Sequence, residues 1–151
     1  EEPAEGVELQ LGWFYEHTHL RYSAVGAVKA EHGFHTYETK YLSAEGVTTQ
    51  IPADIPDEVV QQLKQYTSDL LKSLSFPLYG RIDFFYHRET GRLLLNEFNT
   101  IPGITHASMF PKAFAAKGIA IGQVISRIIG EAQRRYHADK LLVRKRSADT
   151  P

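Results

Sequence analysis

The chain has 151 residues, 42% hydrophobic and 23% charged, with a net charge of −1, the composition of one soluble globular domain with a real core. So balanced a charge gives no broad basic field for nucleic acid, and no apolar run or leader-like segment points to a membrane. The absence of cysteine excludes a disulfide framework, a thiolate zinc site and a cysteine nucleophile, which fits a cytoplasmic protein. The opening Glu1-Glu2-Pro3, without a methionine, is what a fragment of a longer protein would show.

Val7 to Tyr15 reads as a strand with Val7, Leu9, Leu11 and Trp13 on one face, Glu16 to His19 as a polar turn, and Leu20 to Val28 as a second alternating strand, together a hairpin. The pattern breaks over Glu31 to Phe34. His35 to Ser43 has no clear period and reads as a functional loop. Val47 to Ile51 is a short edge-type strand closed by Pro52. Pro56, Asp57 and Glu58 signal a helix start, with the acids at the positive end of the dipole. Val59, Val60, Leu63, Tyr66, Thr67, Leu70, Leu71 and Leu74 then keep helical spacing to about Ser75, ahead of Pro77. A second hairpin follows, then a short helix from Pro111 to Lys117 stopped by Gly118. A last helix over about Ile119 to Tyr136 has Ile121, Val124, Ile125, Ile128, Ile129 and Ala132 as its buried stripe. This divides the chain into a domain over 1–137 and a polar, basic tail over 138–151, the latter read as solvated. Antiparallel hairpins with helices appended make an α+β fold, a mainly antiparallel sheet covered on one side by helices.

The second hairpin carries the chemistry. A three-residue loop, Glu89 to Gly91 with Gly91 left-handed, sets Arg88 opposite Arg92, Asp83 opposite Glu97 and Arg81 opposite Asn99. Alternation then places Arg81, Asp83 and Phe85 on one face, with Leu95, Glu97 and Asn99 beside them. Opposed carboxylates repel, and a divalent cation relieves them; oxygen ligands from Asp, Glu and Asn suit Mg²⁺. The residues alone leave this open against a solvated polar face in which Arg81 pairs the acids.

Several motifs in order carry a resemblance that spans the chain to about Tyr136. They are Gly80-Arg81-Ile82-Asp83-Phe84-Phe85, Leu95-Asn96-Glu97-Phe98-Asn99-Thr100-Ile101-Pro102-Gly103-Ile104-Thr105 and Ser108-Met109-Phe110-Pro111-Lys112, with Tyr37-Glu38-Thr39-Lys40-Tyr41 and Gly6-Val7-Glu8 upstream. The sequence resembles the C-terminal part of D-alanine–D-alanine ligases, ATP-grasp enzymes of cytoplasmic peptidoglycan synthesis. The resemblance implies an ATP-grasp C-terminal domain in which ATP phosphorylates one D-alanine and the amine of a second displaces phosphate from the acyl phosphate. It implies ATP and two Mg²⁺ ions, with Mn²⁺ as a substitute. Asp83, Glu97 and Asn99 would be the metal ligands, Glu97 bridging. Arg81 and the Gly103 backbone N–H would stabilise the oxyanion, and Ser108 with the Met109 N–H would receive the acceptor carboxylate. Lys40 would reach the γ-phosphate and Tyr41 would close over the substrates. Phe34 and Phe85 would sandwich adenine, Glu8 would bind ribose, and Glu1 would lie at the adenine edge, although Glu1-Glu2-Pro3-Ala4 departs from the usual apolar stretch there.

Read without the resemblance, Phe34 and Phe85 serve equally as core aromatics, Lys40 as a solvated lysine, Tyr41 as a packed aromatic, Glu8 as an exposed strand acid and Ser108 as a helix cap. Of the histidines only His106, inside the substrate loop, draws notice. The resemblance also implies partner domains N-terminal to this region, a homodimer as the commonest assembly, a 35–46 loop left mobile without those domains, and no ligation by this segment alone. An ester-forming D-alanine–D-lactate ligase and a non-catalytic nucleotide-binding domain are the alternatives.

Overall fold

The computed structural model describes residues 6–30, 47–73 and 78–148. Five strands, β1 (Val7–Glu16), β2 (His19–Ala30), β3 (Val47–Gln50), β4 (Tyr79–Tyr86) and β5 (Leu93–Asn99), form one antiparallel sheet in the order β3-β2-β1-β4-β5. The helices are α1 (Asp57–Ser73), α2 (Met109–Ala115) and α3 (Ile121–Ala148). The α+β reading holds, and β3 lies at the sheet edge as its short sequence suggests.

The central strand β1 is buried along most of its length because both faces of the sheet are covered. Leu9 and Leu11 pack with Val25, Ala27, Ile82, Phe84 and Tyr86 under Val59 and Leu63 of α1. On the opposite face, Phe14 meets Phe110 and Phe114 of α2 and Val124 of α3. Helices therefore sit on both faces, which corrects the one-sided layout. The second layer was hidden because its anchor is the aromatic cluster Phe14-Phe110-Phe114, spread over residues far apart in sequence.

The ends of the helices also move. Pro56 stands just outside α1, its carbonyl accepting from the N–H groups of Val59 and Val60. α2 begins two residues before Pro111, with Pro111 in its first turn, where a missing N–H costs nothing. α3 continues unbroken to Ala148, well past Tyr136. Its buried seats include Val124 and Glu131, while Ile129 is 52% exposed and Ala132 is exposed. The apolar stripe thus gives way to a charged anchor one turn after Ile128.

That anchor holds the β1–β2 turn. His17 and Thr18 have φ of 48° and 68°, a left-handed pair that lacks the usual glycine or asparagine. Glu131 is 3% exposed and accepts from the His17 backbone N–H at 3.2 Å, from Arg134 Nε at 2.9 Å and from Arg135 Nε at 3.0 Å. These bonds hold its carboxyl down at a pKa of about 2, the Arg134 hydrogen bond being the largest cause. The guanidinium of Arg135 also lies 4.8 Å from the centre of the Tyr15 ring.

Candidate active site

The register of β4 against β5 sets the site. Arg81 faces Asn99 and Asp83 faces Glu97, as the hairpin argument requires. The route differs. His87 N–H bonds Arg92 O at 3.0 Å, so four residues rather than three make the loop, with Gly91 at φ 69°. The pairings Phe84–Leu95, Phe85–Leu94 and Tyr86–Leu93 follow from that longer loop. A bulge then leaves Asn96 unpaired and restores the expected register at Glu97. The bulge also flips Leu95, which sits opposite Phe84 and lines a groove with Tyr66 and Leu70 of α1. The expected grouping of Leu95 with Glu97 and Asn99 is therefore wrong, and Leu94, opposite Phe85, takes its place on the site face.

The carboxylate of Asp83 is fully buried, 0% exposed. Arg81 Nε donates to its Oδ1 and Arg81 Nη2 to its Oδ2, each at 2.8 Å, a two-point fork along one strand edge. Burial pushes the Asp83 pKa up, with Glu8 and Glu97 adding in the same direction against the pull of Arg81. Burial pulls Arg81 down, but its bond to Asp83 and the nearby acids outweigh that and leave it raised. Glu97 is exposed and Asn99 half-buried, so the cluster runs from a dry end at Asp83 to a wet end at Glu97.

β1 adds two buried polar residues to this face. Glu8 and Gln10 stand opposite Phe85 and Asp83 and are 3% and 8% exposed. Glu8 is thus not the exposed strand acid of the alternative reading. Phe85 is half-buried and, among the described residues, belongs to neither apolar cluster. Gln10 was missed. The sequence carried half of its signal: positions 8 and 10 are polar on a strand whose positions 9 and 11 are leucine, but such alternation marks a site face only once the strand is central and buried on both sides.

The loop after β5 brings Gly103 and Ser108 together. A side-chain carbon at Gly103 would stand 2.7 Å from Ser108 Oγ, so any larger residue there requires that hydroxyl to shift. Ser108 occupies the N-cap position of α2 but makes no side-chain cap; its hydroxyl instead shares a 2.8 Å hydrogen bond with Thr105 Oγ1. The Met109 side chain is buried, its sulfur standing over Gly26 of β2. His106 is exposed. Glu1, Phe34, Lys40 and Tyr41, and the loop expected over 35–46, lie outside the described residues.

Asp83, Glu97 and Asn99 offer hard oxygen donors side by side, but among the described residues no three acids or histidines close into a metal cage. That donor set suits Mg²⁺, which keeps waters and takes phosphate oxygens with only one or two carboxylates. No helix among the described residues is long and apolar enough to cross a membrane.

Residues 1–130 match the family described as D-ala D-ala ligase C-terminus. The D-alanine--D-alanine ligase A of Mesorhizobium japonicum is 44% identical over 108 residues, which are 72% of this chain and 30% of that protein. The solved D-alanine-D-alanine ligase of Coxiella burnetii superposes with a TM-score of 0.78 at 25% identity, over 98% of this chain and 38% of that one. The VanG D-Ala:D-Ser ligase of Enterococcus faecalis gives a TM-score of 0.67 at 26% identity, over 86% of this chain and 37% of that one. The chain thus spans between 30% and 38% of the length of these proteins.

Proposed function

The chain belongs to the D-ala D-ala ligase C-terminus family, and from that premise we propose that it is the ATP- and Mg²⁺-binding part of an ATP-dependent D-alanine–D-alanine ligase serving peptidoglycan synthesis in the cytoplasm. The reaction moves the γ-phosphoryl group of ATP to the carboxylate of one D-alanine, leaving ADP. The amine of a second D-alanine attacks the acyl carbon, and the tetrahedral intermediate expels phosphate to leave the dipeptide and a released proton. Asp83, Glu97 and Asn99 would hold two Mg²⁺ ions, or Mn²⁺ in their place; bound there, the cations neutralise phosphate and carboxylate charge that would otherwise keep the reactants apart.

The chain's own residues supply the rest of one wall. Arg81 is held on Asp83 by two bonds, so its direction is fixed before substrate arrives. From there it would stabilise charge on the acyl phosphate and the oxyanion. The Gly103 N–H would donate to the same oxyanion, and Ser108 Oγ, standing over Gly103, would take the acceptor carboxylate with the Met109 N–H. Glu8 would bind the ribose hydroxyls and Phe85 one face of adenine. Glu1, Phe34, Lys40 and Tyr41 complete the proposed nucleotide and substrate contacts. Ligation would require further domains of a longer protein, so this chain alone would not ligate.

The observation that carries this reading is the facing of buried Asp83 with Glu97 beside Arg81 and Asn99, inside a chain matched along most of its length by the family. Its test uses the full-length protein. Asp83→Asn and Glu97→Gln should each abolish D-alanine-dependent phosphate release from ATP and weaken Mg–ATP binding, and unchanged turnover in both would remove the metal assignment. Because a D-Ala:D-Ser ligase shares the fold, D-serine and D-lactate belong beside D-alanine as acceptors in that assay.

A further inference from the structure

Gln10 has no part in the scheme above, yet it is the polar side chain at the centre of the site face. It lies on the central strand, opposite Asp83 on β4 and Gly26 on β2. Its Nε2 donates to Glu8 Oε1 at 2.7 Å and to Asp83 Oδ2 at 3.4 Å, all three side chains being at least nine-tenths buried. Resting on the proposed reading of Glu8 and Asp83, we propose that Gln10 is a positioning residue that ties the ribose-binding acid to the metal-binding acid, so that the two ends of one nucleotide meet acids held at a fixed separation.

The chemistry of the side chain suits this task. A primary amide carries two N–H donors on one nitrogen, so a single neutral group serves two carboxylates at once. A hydroxyl offers one donor. A glutamate here would place a third negative charge in a dry pocket, and an apolar residue would leave both acids with one donor fewer, a costly loss for buried carboxylates. The geometry is also directional: Glu8, Gln10 and Asp83 form a row across β1 and β4, and Arg81 continues it by its fork to Asp83. Displacement of an acid at one end of the row is felt at the other through one rigid amide.

The test separates the two ends. In the full-length protein, ADP affinity in EDTA reports the Glu8 end and Mn²⁺ affinity without nucleotide reports the Asp83 end. Gln10→Met keeps the length and bulk of the side chain and removes both donors. Each affinity should fall about 3- to 10-fold, the worth of one hydrogen bond at each end. A fall at one end alone, or a lower melting temperature with both affinities unchanged, would overturn the bridge and leave a packing role. If Gln10→Met does not fold, Gln10→Asn keeps the amide but withdraws it by one methylene. Loss at one end or both is then expected, and wild-type affinity at both overturns the proposal. Glu8→Ala for ADP and Asp83→Asn for Mn²⁺ are the controls: if either leaves its own affinity unchanged, it is the assignment of that acid that fails, not the bridge.

Discussion

Glu131 makes a strong case for a stability measurement, because it is a nearly buried acid fixed by four hydrogen bonds from His17, Arg134 and Arg135, outside the proposed site. The perturbation is Glu131→Gln, which keeps the shape and cannot carry the charge. The carboxyl titrates at about 2 in the folded chain against an ordinary 4.5, chiefly through the Arg134 hydrogen bond. At about 1.4 kcal/mol for each pKa unit, that difference sets an upper limit of roughly 3.5 kcal/mol. The Arg134 and Arg135 side chains are 43% and 40% exposed, so solvent screens part of the interaction and about 1.5–3 kcal/mol is expected. A depressed acid stabilises the fold above its unfolded pKa and loses that contribution as pH falls towards its folded pKa. The wild type should therefore exceed the variant by the full amount at pH 7, hold most of it at 4.5, and lose most of it by about pH 2.5. Urea denaturation of both proteins at a series of pH values measures the gap directly, and the other titrating acids cancel in the difference. A gap that stays flat from pH 7 to 2.5 would refute the assignment of the stabilisation to this charge.

Two further substitutions probe the packing that carries the site. A side-chain carbon at Gly12 would stand 3.0 Å from Phe110 Cδ2 and 3.1 Å from Phe114 Cε2, so Gly12→Ala should overpack the α2 layer. The expected cost is about 1–3 kcal/mol, a drop of roughly 3–10 °C in Tm by thermal melting; an unchanged Tm would mean that α2 does not rest on β1 in this way. In the full-length protein, Gly103→Ala should push Ser108 Oγ from its place. A displacement of about 1 Å commonly costs on the order of 100-fold, so kcat/KM for the acceptor should fall by ~10- to 100-fold with Tm little changed, because the position is exposed. Equal losses for donor and acceptor substrates would count against an acceptor role for Ser108.

The hairpin and its acids were legible because strand alternation and a glycine turn leave few choices of register. Even there, the loop length was misread by one residue, and Leu95 with it. A bulge at Asn96 has no local signature; it is set by Leu93 and Leu95 turning towards α1 while Glu97 turns away. β1 was read by its leucines, which hid the significance of Gln10, since polar residues on a strand usually face water; Glu8 was named only through the family resemblance. Among the described residues, α2 closes over the second face, with Met109 standing over Gly26 opposite Gln10. Glu131 was unreadable for a similar reason. An acid three and four residues before two arginines looks like an ordinary solvated helix pair, and its burial depends on a turn at His17, more than a hundred residues away.

The bulge at Asn96 also ties the position of the acid pair to the length of the hairpin tip. A strand that slips by one residue ordinarily turns every side chain over. Here the extra loop residue and the extra strand residue cancel before Glu97 is reached. A loop over 88–91 changed in length by one residue would need that bulge lost or doubled to keep Asp83 opposite Glu97, much as an expansion joint takes up one set span and no more. An insertion or deletion between Asn96 and Asn99 has no such joint ahead of it and would act directly on the acids.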